Sequence, residues 1–178
     1  MVISMHQPEH LPWLGFFHKM SLVEVFVLMD IVQYTKQNWQ NRNRIRTSHG
    51  FNWIIVPIIT RGKRYQKINE AEIDWRDSYW PKRIIGAIEN NYSRAPYFSN
   101  YCDELEKIYC DIKWNKLVDL NITLINELTS WLGIKTKLIN ASSLGVEGKS
   151  TDLIISICKK LNAKTYLSGK FGKNYLEE

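Results

Sequence analysis

An apolar run from Val2 to Met5 leads directly into His6-Gln7-Pro8-Glu9-His10, a stretch with more polar chemistry than ordinary packing needs. Pro8 holds the backbone extended, and Pro12 can open a helix because its missing N–H is not needed there. A strand that ends in this way and turns into a helix puts His6, Gln7 and His10 at the mouth of the turn, where α/β proteins usually bind ligands. His6 would then serve as a general base or as a contact to phosphate. A second constellation runs from Asp30 through Gln33 and Tyr34 to Trp39-Gln40-Asn41-Arg42-Asn43. Arg42 can grip an oxyanion with a fork of donors, Asn41 and Gln33 can read hydroxyls, and the rings can stack. Asp30 fits a base or an orienting carboxylate. This mixture suits a phosphorylated or sugar-like ligand, although a capped, hydrogen-bonded turn would use the same residues.

Two later segments could complete such a pocket. Ser142-Ser143 leads to Gly148-Lys149-Ser150-Thr151, which imitates the end of a phosphate-binding loop. The imitation fails on spacing, because a true P-loop needs glycine where this chain has Ser143. Small residues and Lys149 before a helix can still hold an anion, and capping by Ser150 or Thr151 is the plain alternative. Ser168-Gly169 through Lys173 and Tyr175 follows an expected strand, and glycines there let backbone amides approach a ligand. No metal is expected: His6 and His10 stand four apart, but Pro8 and Pro12 keep them off a common helix.

These residues need elements to position them. Helical spacing runs from Leu11 to about Glu24, and Val25 to Met29 reads as a strand. Asn41 to Arg46 and Phe51 to Ile59 flank Thr47-Ser48-His49-Gly50 as a β-hairpin, with alternating arginines on one face of its first strand. A helix from Asp74 to Asn91 is expected, with Asp74 or Ser78 as N-cap. Tyr101, Leu105, Ile108, Tyr109 and Ile112 share a face of the next, and Leu117, Leu120, Leu124, Leu128 and Leu132 share one on a third that Gly133 closes. A strand near Thr136 to Ala141, a helix from Asp152 to Asn162 and a strand at Thr165 to Leu167 restore the alternation. The expected fold is α/β: one domain over 1–178, a small mainly parallel sheet in a Rossmann-like arrangement, with an inserted hairpin and a helical insertion over about 74–133.

The net charge of +6 is concentrated. No acidic residue lies between Asp30 and Glu70, whereas Lys36, Arg42, Arg44, Arg46, Arg61, Lys63, Arg64 and Lys67 do, so the remainder carries −2. Such a block attracts phosphates or carboxylates, and its aromatic neighbours also admit nucleic acid. Cys102, Cys110 and Cys158 are odd in number and lie in helical patterns, which fits reduced thiols. The absence of a long apolar run and of a signal-peptide order predicts a cytoplasmic protein without membrane insertion.

Together, His6-Gln7-Pro8, Leu11 to Phe17, Asp30-x-x-Gln33-Tyr34, Trp39 to Asn43, Trp53 to Pro57, Ser142-Ser143 and Ser168-Gly169 through Leu176 make the chain resemble the WbqC-like protein family. Family members typically carry Gly-Ala-Lys-x-Tyr-Leu where this chain has Gly172-Lys173-Asn174-Tyr175-Leu176. They generally continue past that block, so the resemblance leads one to expect a short form or a fragment. It also implies a place in bacterial O-antigen and surface-glycan gene clusters beside amino-sugar enzymes.

The resulting expectation is a transferase or amide-forming ligase that modifies a nucleotide-linked amino sugar by N-acylation through an activated acyl donor. Fold-level analogy with adenylate-forming and nucleotidyl-transferring enzymes adds ATP or another nucleotide as cofactor. Arg42 with Lys173 would form the anion clamp. The rivals are a noncatalytic sugar-nucleotide-binding or glycan-assembly protein and, third, a nucleic-acid-binding protein.

Overall fold

The computed structural model describes residues 1–169. In chain order the strands and helices are β1 (Val2–His6), α1 (Leu14–Ser21), β2 (Val25–Leu28), β3 (Arg42–Thr47), β4 (Gly50–Ile55), α2 (Trp80–Tyr92), α3 (Cys102–Glu106), α4 (Leu117–Trp131), β5 (Lys137–Asn140), α5 (Ser150–Lys160) and β6 (Thr165–Tyr166). The mixed α/β expectation holds, with a parallel four-stranded sheet and a separate antiparallel hairpin. The chain divides into two compact units. The first contains Met1–Pro8, Pro12–Val32 and the chain from Glu127 onward; the second contains Glu9–Leu11 and Gln33–Asn126.

In the first unit the sheet order is β5-β2-β1-β6, all parallel. Numbered within this sheet alone, that is 3-2-1-4, the order of a Rossmann half joined by the first strand beyond its switch point. β2 is central, and all four of its residues are buried, as expected of a strand covered on both faces. Alternation along the strands sorts the faces. Ile3, Met5, Val25 and Val27 pack with Leu153 and Ile157 of α5, and Tyr166 joins them. On the opposite face Phe16 of α1 lies 5.1 Å from the Phe26 ring and 5.1 Å from the His6 ring, both edge-on.

The first helix starts later than its sequence promises. Leu11 has φ 43° and Trp13 remains extended, so α1 opens at Leu14 rather than at Pro12. The cap of α5 falls on Lys149, neither on Ser150 nor on Thr151. Gly148 just before it has φ 136°, and a Cβ there would lie 3.0 Å from the Leu153 nitrogen, so both conformation and space require glycine.

The second unit is built on the hairpin and the middle helices. β3 and β4 pair with Thr47 opposite Gly50, which leaves Ser48-His49 as a two-residue loop. α2 starts at Trp80 with Tyr79 at the cap position, not Asp74 or Ser78, and Pro81 lies in its first turn. Asp74 instead binds Arg76, and Asp77 binds Arg83. After α3 the chain widens into a π-turn over Lys107–Asp111. Ile108 and Tyr109 are buried as the helical pattern expects, whereas Ile112, past the extra residue of that turn, and Tyr101, at the cap of α3, are exposed. Gly133, at φ 65°, ends α4 as anticipated.

Candidate functional site

Between β1 and β6 the sheet order reverses, so the crevice at the carboxyl ends of these strands is the topological switch point. A cavity of about 680 Å³ lies there, lined by Met5, His6 and Gln7 from β1 and its turn, by Trp13, Gly15, His18 and Lys19 around α1, by Ser150 and Leu153 of α5, and by Tyr166 to Gly169. Its walls are mainly apolar, with a few polar groups interspersed, the usual make-up of a small-molecule site. Ser4 Oγ donates to the Leu167 carbonyl at 2.7 Å, and the Leu167 N–H donates to the Ile3 carbonyl at 2.8 Å, so the segment leaving β6 is tied to β1.

His6 ends β1. Its Nδ1 lies 3.2 Å from the Gln7 carbonyl, an acceptor only, which puts the proton on Nδ1 and the lone pair on Nε2. Burial and then the nearby Lys19 ammonium lower its pKa from 6.5 to about 4, against a smaller opposing effect of the Gln7 carbonyl. The imidazole is therefore neutral near pH 7. In an NMR titration the His6 ring should hold its neutral shifts down to about pH 5, with a midpoint near 4; a midpoint near 6.5 would mean that burial and Lys19 do not act on it. Lys19 Nζ donates to the Met5 carbonyl at 2.8 Å, so the ammonium is fixed beside the strand end.

Trp13 is two-thirds exposed, and its indole lies against Gly15 so closely that a Cβ on Gly15 would come within 2.1 Å of the ring. Only glycine at position 15 leaves room for this ring. Nothing in the spacing of Leu11 to Phe17 announces that role, although a Trp-x-Gly pair at a helix start is where to look for it.

The remaining sequence candidates have different placements. Asp30 is buried in the first unit, and both its oxygens are engaged by one residue: the Ser142 N–H at 2.9 Å and the Ser142 hydroxyl at 2.5 Å. The pair pins the turn after β5. Asp30→Asn would present an amide N–H to one of those donors, and a loss of about 1–3 kcal/mol in urea unfolding is expected. Ser143 donates to the Asn140 carbonyl at 2.7 Å within the same turn, and Lys149 is exposed. Lys173 and Tyr175 lie outside the described residues.

In the second unit, Gln33 is exposed and donates to the Arg64 carbonyl at 3.2 Å. Tyr34 is buried, its pKa pushed up to about 12 by burial despite the Arg42 charge. Asn41 donates to the Val56 carbonyl at 2.8 Å. Arg42 lies 4.2 Å from the centre of the Trp53 ring. His6, Gln7 and Gly169 therefore share one cavity, Asp30 and Ser142 hold each other, and Gln33, Tyr34, Asn41 and Arg42 belong to the hairpin unit.

His10, expected beside His6, is instead wholly buried in the second unit. Asn121 Nδ2 donates to the Gln40 carbonyl at 2.7 Å, which orients the amide so that its Oδ1 accepts from His10 Nδ1 at 3.2 Å. His10 Nε2 then accepts from the Tyr109 hydroxyl at 3.0 Å. Both ring nitrogens are used, and the chain of bonds requires a neutral imidazole; burial lowers its pKa to about 4. Asn43 Nδ2 bonds the His10 and Leu11 carbonyls, and the His10 N–H bonds the Trp39 carbonyl, so Glu9–Leu11 is stitched into this unit.

The three cysteines are free and half-buried on helical segments, with thiol pKa values raised by burial at Cys110 and Cys158 and by Asp103 at Cys102. That direction disfavours a reactive thiolate. Among the described residues no helix is long and apolar enough to cross a membrane.

Comparison with known proteins gives a consistent picture. The model of the WbqC-like protein family matches residues 7–178. The chain is also similar to a Mycobacterium tuberculosis protein named "Uncharacterized protein Rv1507c", 38% identical over 176 residues that make up 99% of this chain and 75% of that relative. No solved structure matches.

Proposed function

The chain belongs to the WbqC-like protein family, and on that premise we propose that it serves bacterial surface-polysaccharide biosynthesis by binding a nucleotide-linked amino sugar at the switch-point cavity and acylating its amine. The observation that carries this reading is the combination, in one cavity, of a flat exposed ring at Trp13, an ammonium at Lys19 and a neutral imidazole at His6. A nucleobase stacks on the indole. The diphosphate pairs with Lys19 and with the backbone amides of Ser168 and Gly169. Gln7 and His6 contact the sugar.

In the reaction the sugar's amine attacks the carbonyl carbon of an activated acyl donor. The C–N bond forms, the bond to the leaving group breaks with its electron pair, and the nitrogen gives up one proton. His6 alone, with a pKa near 4, is a weak acceptor for that proton. A diphosphate beside it raises the proton affinity of the imidazole, because an opposite charge favours the charged form. Substrate binding thus readies the base. Asp30, with both oxygens taken up by Ser142, has a positioning role in this scheme.

That full engagement of Asp30 favours a second reading, in which the protein binds the sugar nucleotide without reacting. The two are separated by following acyl transfer by mass spectrometry with UDP-, GDP- and dTDP-linked amino hexoses and thioester donors, in wild type and His6→Ala. Product in the wild type, and a loss of at least about 100-fold in the variant, is expected. Thermal stabilisation without product in any pairing supports the binder, and stabilisation by none of these ligands overturns both.

A further inference from the structure

The hairpin sorts its side chains strictly by alternation. Ile45 and Ile54 face inward and are buried, so the opposite face carries the cross-strand pairs Arg42 with Ile55, Arg44 with Trp53 and Arg46 with Phe51. Three arginines therefore stand in a row, about 6.8 Å apart from one to the next along an antiparallel strand. Aromatic rings stand beside them. The Arg44 guanidinium lies 4.8 Å from the Phe51 ring centre and 5.3 Å from those of both Trp39 and Trp53; the last two rings are 5.5 Å apart. Trp39, Phe51 and Trp53 are 37%, 52% and 39% exposed.

This face lacks its counter-charge. Among the described residues no carboxylate pairs with Arg42, Arg44 or Arg46, and the sequence from Asp30 to Glu70 contains none to offer in between. Within this row the Arg42 Nε has no acceptor. Cation–π contacts hold guanidiniums flat and direct their N–H edges outward, but they do not neutralise them. A row of unneutralised forks interleaved with exposed flat rings is complementary to a ligand that alternates phosphates with flat rings.

We propose that the outer face of the β3–β4 hairpin binds single-stranded nucleic acid, with Arg42, Arg44 and Arg46 on successive phosphates and Trp39, Phe51 and Trp53 against the bases. Phosphate contact supplies the affinity and makes it salt-dependent; stacking adds sequence-tolerant strength because every base has a π-face. A duplex, whose bases are already stacked on each other, loses the second contribution.

The test is fluorescence anisotropy of labelled dT12 and U12 with the full chain, with an abasic oligonucleotide of equal length, a duplex and an unlabelled sulfated polysaccharide as competitors. Binding of the single strands with quenching of tryptophan emission is expected. Three phosphate contacts give a slope of log affinity against log salt of about −2, which Arg44→Ala reduces by about 0.7. Trp53→Ala weakens binding about 10-fold or more. Both residues are exposed, and circular dichroism verifies that the variants fold. No binding below about 100 µM, or equal binding of the abasic strand or the polysaccharide, overturns the assignment.

Discussion

His10→Ala is expected to be the most destabilising single substitution among the polar residues considered. It takes the acceptor away from the buried Tyr109 hydroxyl, breaks the bond to Asn121 Oδ1 and opens a void where the imidazole stood. Each unsatisfied buried group costs about 1–3 kcal/mol, so a loss of about 3–5 kcal/mol is expected, measured by urea unfolding. Tyr109→Phe removes a single bond and should cost less, about 1–2 kcal/mol. Acid probes the same network without mutation. The folded-state pKa of His10 lies at about 4, below the ordinary 6.5, so the unfolded chain takes up a proton that the folded chain refuses. The stability His10 contributes is therefore full above pH 6.5 and is lost as the pH falls towards 4, by about 3 kcal/mol. His10→Ala should lack this share of the acid sensitivity. An unchanged acid profile in the variant would show that the imidazole is not held neutral by burial.

The second large effect concerns the cavity. Lys19→Gln keeps a donor for the Met5 carbonyl while removing the charge that lies 5.4 Å from the Phe26 ring centre. It should weaken binding of a nucleotide-linked amino sugar about 10-fold, the usual worth of one charge-assisted bond, with little change in the unfolding midpoint. Trp13→Ala removes an exposed ring and should also cost about 10-fold or more through lost stacking. Gly15→Ala acts through the same ring, since the new Cβ occupies the space of the indole and Trp13 must move. Isothermal titration of the four proteins separates these contributions: both losses should appear in affinity and neither in stoichiometry.

Much of the fold can be read from the sequence because its strands are strongly patterned. The unbroken apolar run Val25 to Leu28 marks a central strand, and turn residues at Thr47 to Gly50 mark the hairpin. The alternation of arginines along β3 was also legible, and with it the basic face. What lay beyond a sequence reading were the places where one residue changes the local period. Leu11 at positive φ delays the first helix, and past the π-turn at Lys107–Asp111 Ile112 lies outside although Tyr109 is buried on the expected face. The site was legible only in part for a related reason. His6 and His10 are four residues apart, yet the chain leaves one compact unit after Pro8 and returns at Pro12, so the two histidines belong to different units. Their spacing says nothing of that division. The sequence does not mark Lys19 or Trp13 as functional, because an amphipathic helix start accounts for both by composition alone.

The proposed function rests on the switch-point cavity holding the sugar nucleotide. Its most direct test is amide chemical-shift mapping of the full chain during titration with a UDP-linked amino hexose. Saturable shifts at Gln7, Gly15, Lys19 and Gly169, together with a rise of the His6 midpoint above its resting value near 4, are the predicted result. Shifts confined to the hairpin from Arg42 to Ile55, or no shifts at all, would contradict it.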